Sequence, residues 1–141
     1  MTYYANLKKQ KSGEWLVEFP ELPGCLSEGS TRDKALINAR ESLNGWLAAN
    51  CDHHLEIPEP RPHRSKSAYP VEVDLNVAFA ISLRRLRKIR GLTQTQAAKA
   101  IGISQQAYAR LESATRANPS LSTLQRISEL LQVGIELRLV S

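Results

Sequence analysis

Cysteine is scarce in this 141-residue chain: Cys25 and Cys51 are the whole complement. Two are too few for the disulfide framework of a small secreted domain, so reduced thiols in a cytosol are expected. Long apolar runs are missing as well. The longest, Val77 to Ile81, falls far short of the roughly 18 residues a membrane span requires. Lys8 and Lys9 interrupt the N-terminus before a signal-peptide core can form. The expectation is a cytoplasmic protein with no membrane partner. Neither glycine nor proline is abundant, and with 42% hydrophobic and 23% charged residues the chain has the composition of a folded globular protein. Its length allows one ordinary domain or two small ones of about 70 residues each, and excludes a large multidomain enzyme.

Acidic residues are in short supply in one half only. Residues 1–70 hold 9 Lys/Arg against 9 Asp/Glu, whereas residues 71–141 hold 10 against 5, so the whole excess of +5 belongs to the C-terminal half. That asymmetry suggests a neutral module joined to one that meets a polyanion. Between them, residues 57–70 read IPEPRPHRSKSAYP, a proline-rich stretch expected to be an extended connector. The organisation expected is thus residues 1–56, a connector 57–70, and residues 71–141.

The period of the apolar residues gives the elements. Thr2 to Lys8 and Glu14 to Phe19 read as a β-hairpin, and Cys25 to Glu28 as a third short strand. From Ser30 onward Ala35, Leu36, Ala39, Leu43, Trp46 and Leu47 recur at helical steps, with Ser30 or Thr31 as cap and Asp33 in the first turn. This β-β-β-α unit is expected to form its own small core. After the connector, Tyr69 to Leu75 reads as a strand. Helices follow over 77–90, 93–101, 104–112 and 121–131, and residues 134–141 revert to period two as a closing strand. The fold class is α+β: a sheet-and-helix module followed by a helical domain that ends in a short strand.

The strongest signal is LTQTQAAKAIGISQQAYARLE, residues 92–112. Thr93 and Gln96 have capping-box spacing, Gly102 suits a left-handed helix end, and Ser104 caps the next helix. Two short helices joined by such a turn are the signature of a DNA-reading helix-turn-helix. Tyr108 and Leu111 then point into the core, while Gln105, Gln106, Ala109 and Arg110 face outward. Those residue types suit base edges: Gln for adenine, Arg for guanine, Ala for a thymine methyl. The bland alternative is that they merely solvate an exposed helix. Residues 77–132 resemble the Xre/Cro-type helix-turn-helix of lambdoid phage repressors, and the stretch from Thr93 to Glu112 follows that pattern without a gap. The resemblance implies that Gln94 places itself on a phosphate and that Gln105, Gln106 and Arg110 touch base edges, with Ser104 opening the reading helix. It also implies that the loop 113–119, with Arg116 and Asn118, rides on the DNA backbone. The chain departs from the pattern in ending on a strand where such repressors carry a dimerising helix. Ile135, Leu137 and Leu139 line one side of that strand and are the expected dimer contacts.

The neutral half carries a second pattern. Phe19, Pro20, Leu22, Pro23, Gly24 and Cys25, followed by Gly29, Thr31, Ala35 and Ala39, make it similar to the HicB-type antitoxins of type II toxin–antitoxin systems. The resemblance implies a partial ribonuclease H-like fold without nuclease function. It further implies an antitoxin that inhibits a HicA-type messenger-RNA interferase, represses its own operon through operator DNA, and assembles as a homodimer or higher homo-oligomer. Glu18, Phe19, Pro20, Glu21 and Leu22 are the candidate toxin contacts, since acids here, with Glu14 and Glu28, would complement a basic partner. For any one of those acids a solvated sheet surface is the plainer role.

Other classes are less well supported. A two-metal nuclease needs convergent carboxylates, and the acids here are scattered, with no Asp before Asp33. Cys51, His53, His54 and His63 invite zinc, but their spacing matches no closed four-ligand pattern, and neither metal nor cofactor is expected. Trp15 and Trp46 are simplest as core or interface aromatics. The alternative from another class is a stand-alone regulator whose N-terminal half senses a small molecule, marked by an apolar pocket with convergent polar groups.

Overall fold

In a computed structural model of the chain, residues 1–62 and 65–141 are described; His63, the last member of the Cys/His cluster, lies outside them. Strands β1 (Thr2–Lys9), β2 (Trp15–Glu18) and β3 (Leu26–Gly29) form an antiparallel meander, and α1 (Arg32–Asp52) follows. Strand β4 (Ala68–Glu72) then pairs antiparallel with β1, giving the order β3-β2-β1-β4. The register splits β1 between two partners: its first half faces β4, Tyr3 opposite Val71, while its second faces β2, Leu7 opposite Val17. Alternation does the rest. Tyr3, Ala5, Val17 and Val71 are buried on one face, against Ala35, Ala39, Leu43, Leu47 and Cys51, which recur every four residues along α1. Burying leucines such as Leu43 and Leu47 contributes roughly 1.5–3 kcal/mol each. Thr31 caps α1, its side chain accepting from the Lys34 N–H at 3.2 Å.

The helical part comprises α2 (Leu75–Ile89), α3 (Gln94–Ile101), α4 (Gln105–Leu111) and α5 (Leu121–Leu131), close to the expected spans. Leu83, Ala97, Ala98, Ile101, Tyr108, Leu111, Ile127 and Leu131 make its core.

Two expectations are corrected. The β-β-β-α unit does not close a core of its own: Val71 and Val73, then Val77, Ala80 and Ile81 of α2, and even Ala114 and Ala117 pack into it. Four β-strand and helix segments of 56 residues expose too much of Tyr3, Ala5 and Leu47 unless β4 and α2 cover them. The second correction is at the C-terminus. Residues 134–141 form no strand, and Ile135, Leu137 and Leu139 are 40%, 69% and 102% exposed. An extended segment needs a second strand for its ladder hydrogen bonds, and β4 is built into the N-terminal sheet beside β1.

Of the expected connector, residues 57–62 are anchored to the rest of the chain, and its last residues, from Ala68, are the start of β4. Tyr3 Oη donates to the Pro58 carbonyl at 2.7 Å, the Arg61 N–H to Glu21 Oε2 at 3.2 Å, and Arg85 Nη2 to the Ile57 carbonyl at 3.0 Å. Both cysteines are free and buried. Burial pushes the Cys25 thiol up to about 11 and raises that of Cys51, so both are protonated and unreactive at neutral pH.

Candidate nucleic-acid interface

The helix-turn-helix is built as its sequence demands. Thr93 Oγ1 accepts from the Gln96 N–H at 3.1 Å, and the Thr93 N–H donates to Gln96 Oε1 at 2.9 Å, a complete capping box. Gly102 ends α3 at φ +71°, the left-handed region where a Cβ is strained. Two residues on, Ser104 Oγ accepts from the Ala107 N–H at 3.1 Å and caps α4, which starts at Gln105. With both termini fixed, α4 turns Tyr108 and Leu111 inward. Ser104, Gln105, Gln106 and Arg110 are exposed along its other side, and Ala109 is half-buried.

Behind α4 lies a buried ion pair. Glu112, only 4% exposed, accepts from Arg87 Nε at 2.6 Å and Nη2 at 3.0 Å, from Tyr108 Oη at 2.8 Å, and from Gln94 Nε2 at 3.1 Å. Burial by itself would raise the Glu112 pKa, yet the hydrogen bonds from Arg87, Tyr108 and Gln94 hold it below the ordinary carboxylate value. The same carboxylate, together with burial, raises the Tyr108 hydroxyl, which stays a donor. Gln94 therefore differs from a free phosphate ligand. One end of its amide is spent on Glu112, and its Oε1 accepts from Gln105 Nε2 at 3.1 Å, which ties the start of α3 to the start of α4. The Arg87–Glu112 pair was not anticipated from sequence. Its signal was available, since Glu112 is the only acid between Asp74 and Glu129.

Past α4, Arg116 and Asn118 are exposed on the turn leading to α5. Ser113, Arg116, Gln94 and Ala109 line one shallow depression with Asp52 and His54, which brings Ala109 of the base-edge candidates together with Gln94 and Arg116 of the backbone ones.

In the segment after β2, Phe19 and Leu22 are 3% and 1% exposed. The Leu22 N–H donates to the Phe19 carbonyl at 3.0 Å, and the Cys25 N–H to the Leu22 carbonyl at 2.9 Å. Trp46 Nε1 clamps the turn by donating to the Pro23 carbonyl at 3.1 Å. Phe19 and Leu22 are thus core side chains, unavailable to a partner while the module is folded, whereas Glu18 and Pro20 are exposed and Glu21 is half-buried. Among the described residues no group of three or more His, Cys, Asp or Glu is placed to hold a metal ion, and no helix is long and apolar enough to cross a membrane. The cleft between the end of α1 and α2 is lined by Cys51, Leu55, Ile81, Arg84 and Arg85. Both arginines donate to backbone carbonyls of its own wall, and Glu56, Glu59 and Lys88 complete the lining.

A helix-turn-helix family model matches residues 83–137. The model of the HicB_like antitoxin of bacterial toxin-antitoxin systems matches residues 2–82, more than half of the chain. The chain belongs to the HicB-like antitoxin family. Relatives include Antitoxin HicB 1 of Photorhabdus laumondii, 29% identical over 79% of this chain and 70% of that protein. Antitoxin HicB of Escherichia coli K12 is also 29% identical, over 79% of this chain and 80% of its own length. A shorter relative, UPF0150 protein Ta0767 of Thermoplasma acidophilum, is 34% identical over 41% of this chain and 84% of its own.

The HicB-like pattern has a physical basis in this fold. A Cβ on Gly29 would stand 2.8 Å from Ala35 Cα, so only glycine lets the end of β3 pass the first turn of α1. Thr31 caps that turn, and Ala35 and Ala39, both 0% exposed, let α1 lie close on the sheet. The two matched segments meet inside α2, whose first half packs on the sheet and whose second half, through Leu83, enters the helical core. One helix thus belongs to both cores.

Proposed function

We propose that the N-terminal module binds and inhibits a HicA-type messenger-RNA interferase and that the helix-turn-helix represses the protein's own operon by binding operator DNA. The observation that carries the reading is the pairing, in one chain, of a HicB-like module with a locked recognition helix exposing Gln105, Gln106 and Arg110. Gln and Arg can each make bidentate contacts to a purine edge, Ser104 and Ala109 extend the same surface, and Arg116 and Asn118 flank it toward the phosphates. Gln94 acts by bracing Gln105 as well as by meeting the backbone.

The module works by binding, without catalysis. Glu18, Pro20 and Glu21 offer an acidic rim suited to a basic ribonuclease, with Phe19 and Leu22 shaping it from beneath. The protein acts in the cytoplasm, where its DNA and toxin partners are.

A single helix-turn-helix spans half an operator, and two copies must hold their reading helices about 34 Å apart. The exposed segment with Ile135, Leu137 and Leu139 has no partner strand among the described residues, and pairing with the same segment of a second copy would supply one. A homodimer or higher homo-oligomer is the working form. The test is a binding titration with duplex DNA from upstream of the protein's own reading frame against a scrambled duplex. Preference of about a thousandfold or more is expected, and equal affinity would refute operator recognition.

A further inference from the structure

The turn that follows the recognition helix is held by the other module. Asp52, the last residue of α1, accepts from the Ala114 N–H at 2.8 Å through Oδ1, and from the Thr115 hydroxyl at 2.7 Å through Oδ2, with a longer contact from Ser113 Oγ at 3.4 Å. Asn76 Nδ2 of α2 donates to the Ala114 carbonyl at 2.9 Å, so side chains satisfy both the N–H and the carbonyl of this one residue. Ala114 and Ala117, at 0% and 7% exposure, are packed in the sheet-and-α1 core and not among the helices that flank them in sequence.

The end of α1 is itself fixed. Arg84, 6% exposed, donates from Nη1 to the Cys51 carbonyl in the last turn of α1, where the helix dipole favours a cation, and from Nη2 to the Leu55 carbonyl just past the helix, both at 2.9 Å. Cys51 Sγ reaches the Glu112 carbonyl at 3.6 Å. The anchor on the turn is therefore rigid at both ends.

We propose that Asp52 is a positioning residue for DNA binding: through it the toxin-binding module sets the turn Ser113–Arg116 and with it the placement of Arg116. The inference rests on the DNA-binding role proposed above. Arg116 is exposed one residue beyond the Thr115 hydroxyl that Asp52 holds, and Asp52 and His54 share a depression with Gln94, Ala109 and Arg116. A carboxylate beside a phosphate backbone would ordinarily weaken binding by repulsion. Here its lone pairs are spent on the turn's own donors, and charge-assisted bonds to a backbone N–H fix geometry better than neutral ones. Asparagine keeps an oxygen for the Ala114 N–H and can still pair with the hydroxyls, whereas alanine keeps nothing. The two substitutions therefore separate positioning from charge.

The experiment uses the full chain and two fluorescent duplexes, one from upstream of its own reading frame and one scrambled, titrated at several salt concentrations. D52A should weaken both duplexes alike, by roughly five- to tenfold, and flatten the salt dependence by about one phosphate contact. D52N should stay within about twofold of wild type and keep its salt slope. N76A, which releases the carbonyl of the same residue, should repeat the uniform loss and serves if D52A fails to fold. Wild-type affinity and slope for D52A, or a D52N defect equal to that of D52A, would overturn the proposal. Amide hydrogen exchange at Ala114, faster in D52A without any DNA present, separates this claim from the reading beneath it. Equal wild-type affinity for the two duplexes would instead refute operator recognition itself.

Discussion

Replacing Glu112 by alanine tests how the reading helix is held. The substitution removes four hydrogen bonds at once and leaves the Arg87 guanidinium, whose side chain is 13% exposed, with the Leu92 carbonyl as its one remaining partner among the described residues. Stranding one member of a buried pair costs about 3–5 kcal/mol, most of it the desolvation of the charge left behind. E112Q keeps the shape and loses the charge, at about 2 kcal/mol. In the double variant R87A/E112A no charge remains to be stranded, so its loss should fall short of the sum of the two single losses. Urea denaturation of the full chain measures all of these. The pH dependence follows from the lowered pKa of Glu112: its stabilisation is present above the carboxyl value of the unfolded chain, near 4.5, and is lost as pH falls through the lower folded value. Wild type should lose this contribution on the acid side, and E112Q should lack that component. A cost below about 1 kcal/mol for E112A, or identical acid limbs for wild type and E112Q, would refute the reasoning.

Other predictions follow from the same geometry. Alanine at Gln105, Gln106 or Arg110 should each cost roughly 1–3 kcal/mol on operator DNA and relax choice at one base position, read by anisotropy on a panel of single-base variants. G29A should destabilise the chain by about 1–3 kcal/mol in urea, because its methyl would meet backbone and not a yielding side chain. A fragment of residues 1–60 should remain unfolded by circular dichroism, since Val71, Val73, Val77 and Ile81 complete its core. Removing residues 135–141 should lower the mass seen by light scattering from dimer to monomer and weaken operator binding, without disturbing either core.

Much of the fold was legible because its signals are local. Thr31, Thr93, Gly102 and Ser104 announce helix ends through side chains that satisfy their own neighbours, and the four-residue recurrence from Ala35 to Leu47 announces the buried face of α1. What the sequence concealed are contacts between distant segments. The pairing of β4 with β1 spans the connector, and nothing in Ala68–Glu72 names its partner strand. Asp52 and Ser113–Thr115 lie about sixty positions apart, and a helix-terminal acid beside two histidines reads equally well as solvated surface. Phe19 and Leu22 show a different limit. Their motif was recognisable, yet whether an aromatic in a proline-rich turn faces a partner or its own core depends on how the turn closes, here through hydrogen bonds from Leu22, Cys25 and Trp46. The C-terminal segment misled because period two marks a strand only where a second strand exists to pair with it.

The central claim is that this chain is an antitoxin. It is tested most directly by purifying the proposed HicA-type partner and following its cleavage of messenger RNA while the full chain is titrated in. Cleavage should fall in proportion to added chain and cease near stoichiometric amounts. Undiminished cleavage in the presence of excess folded chain would contradict the account.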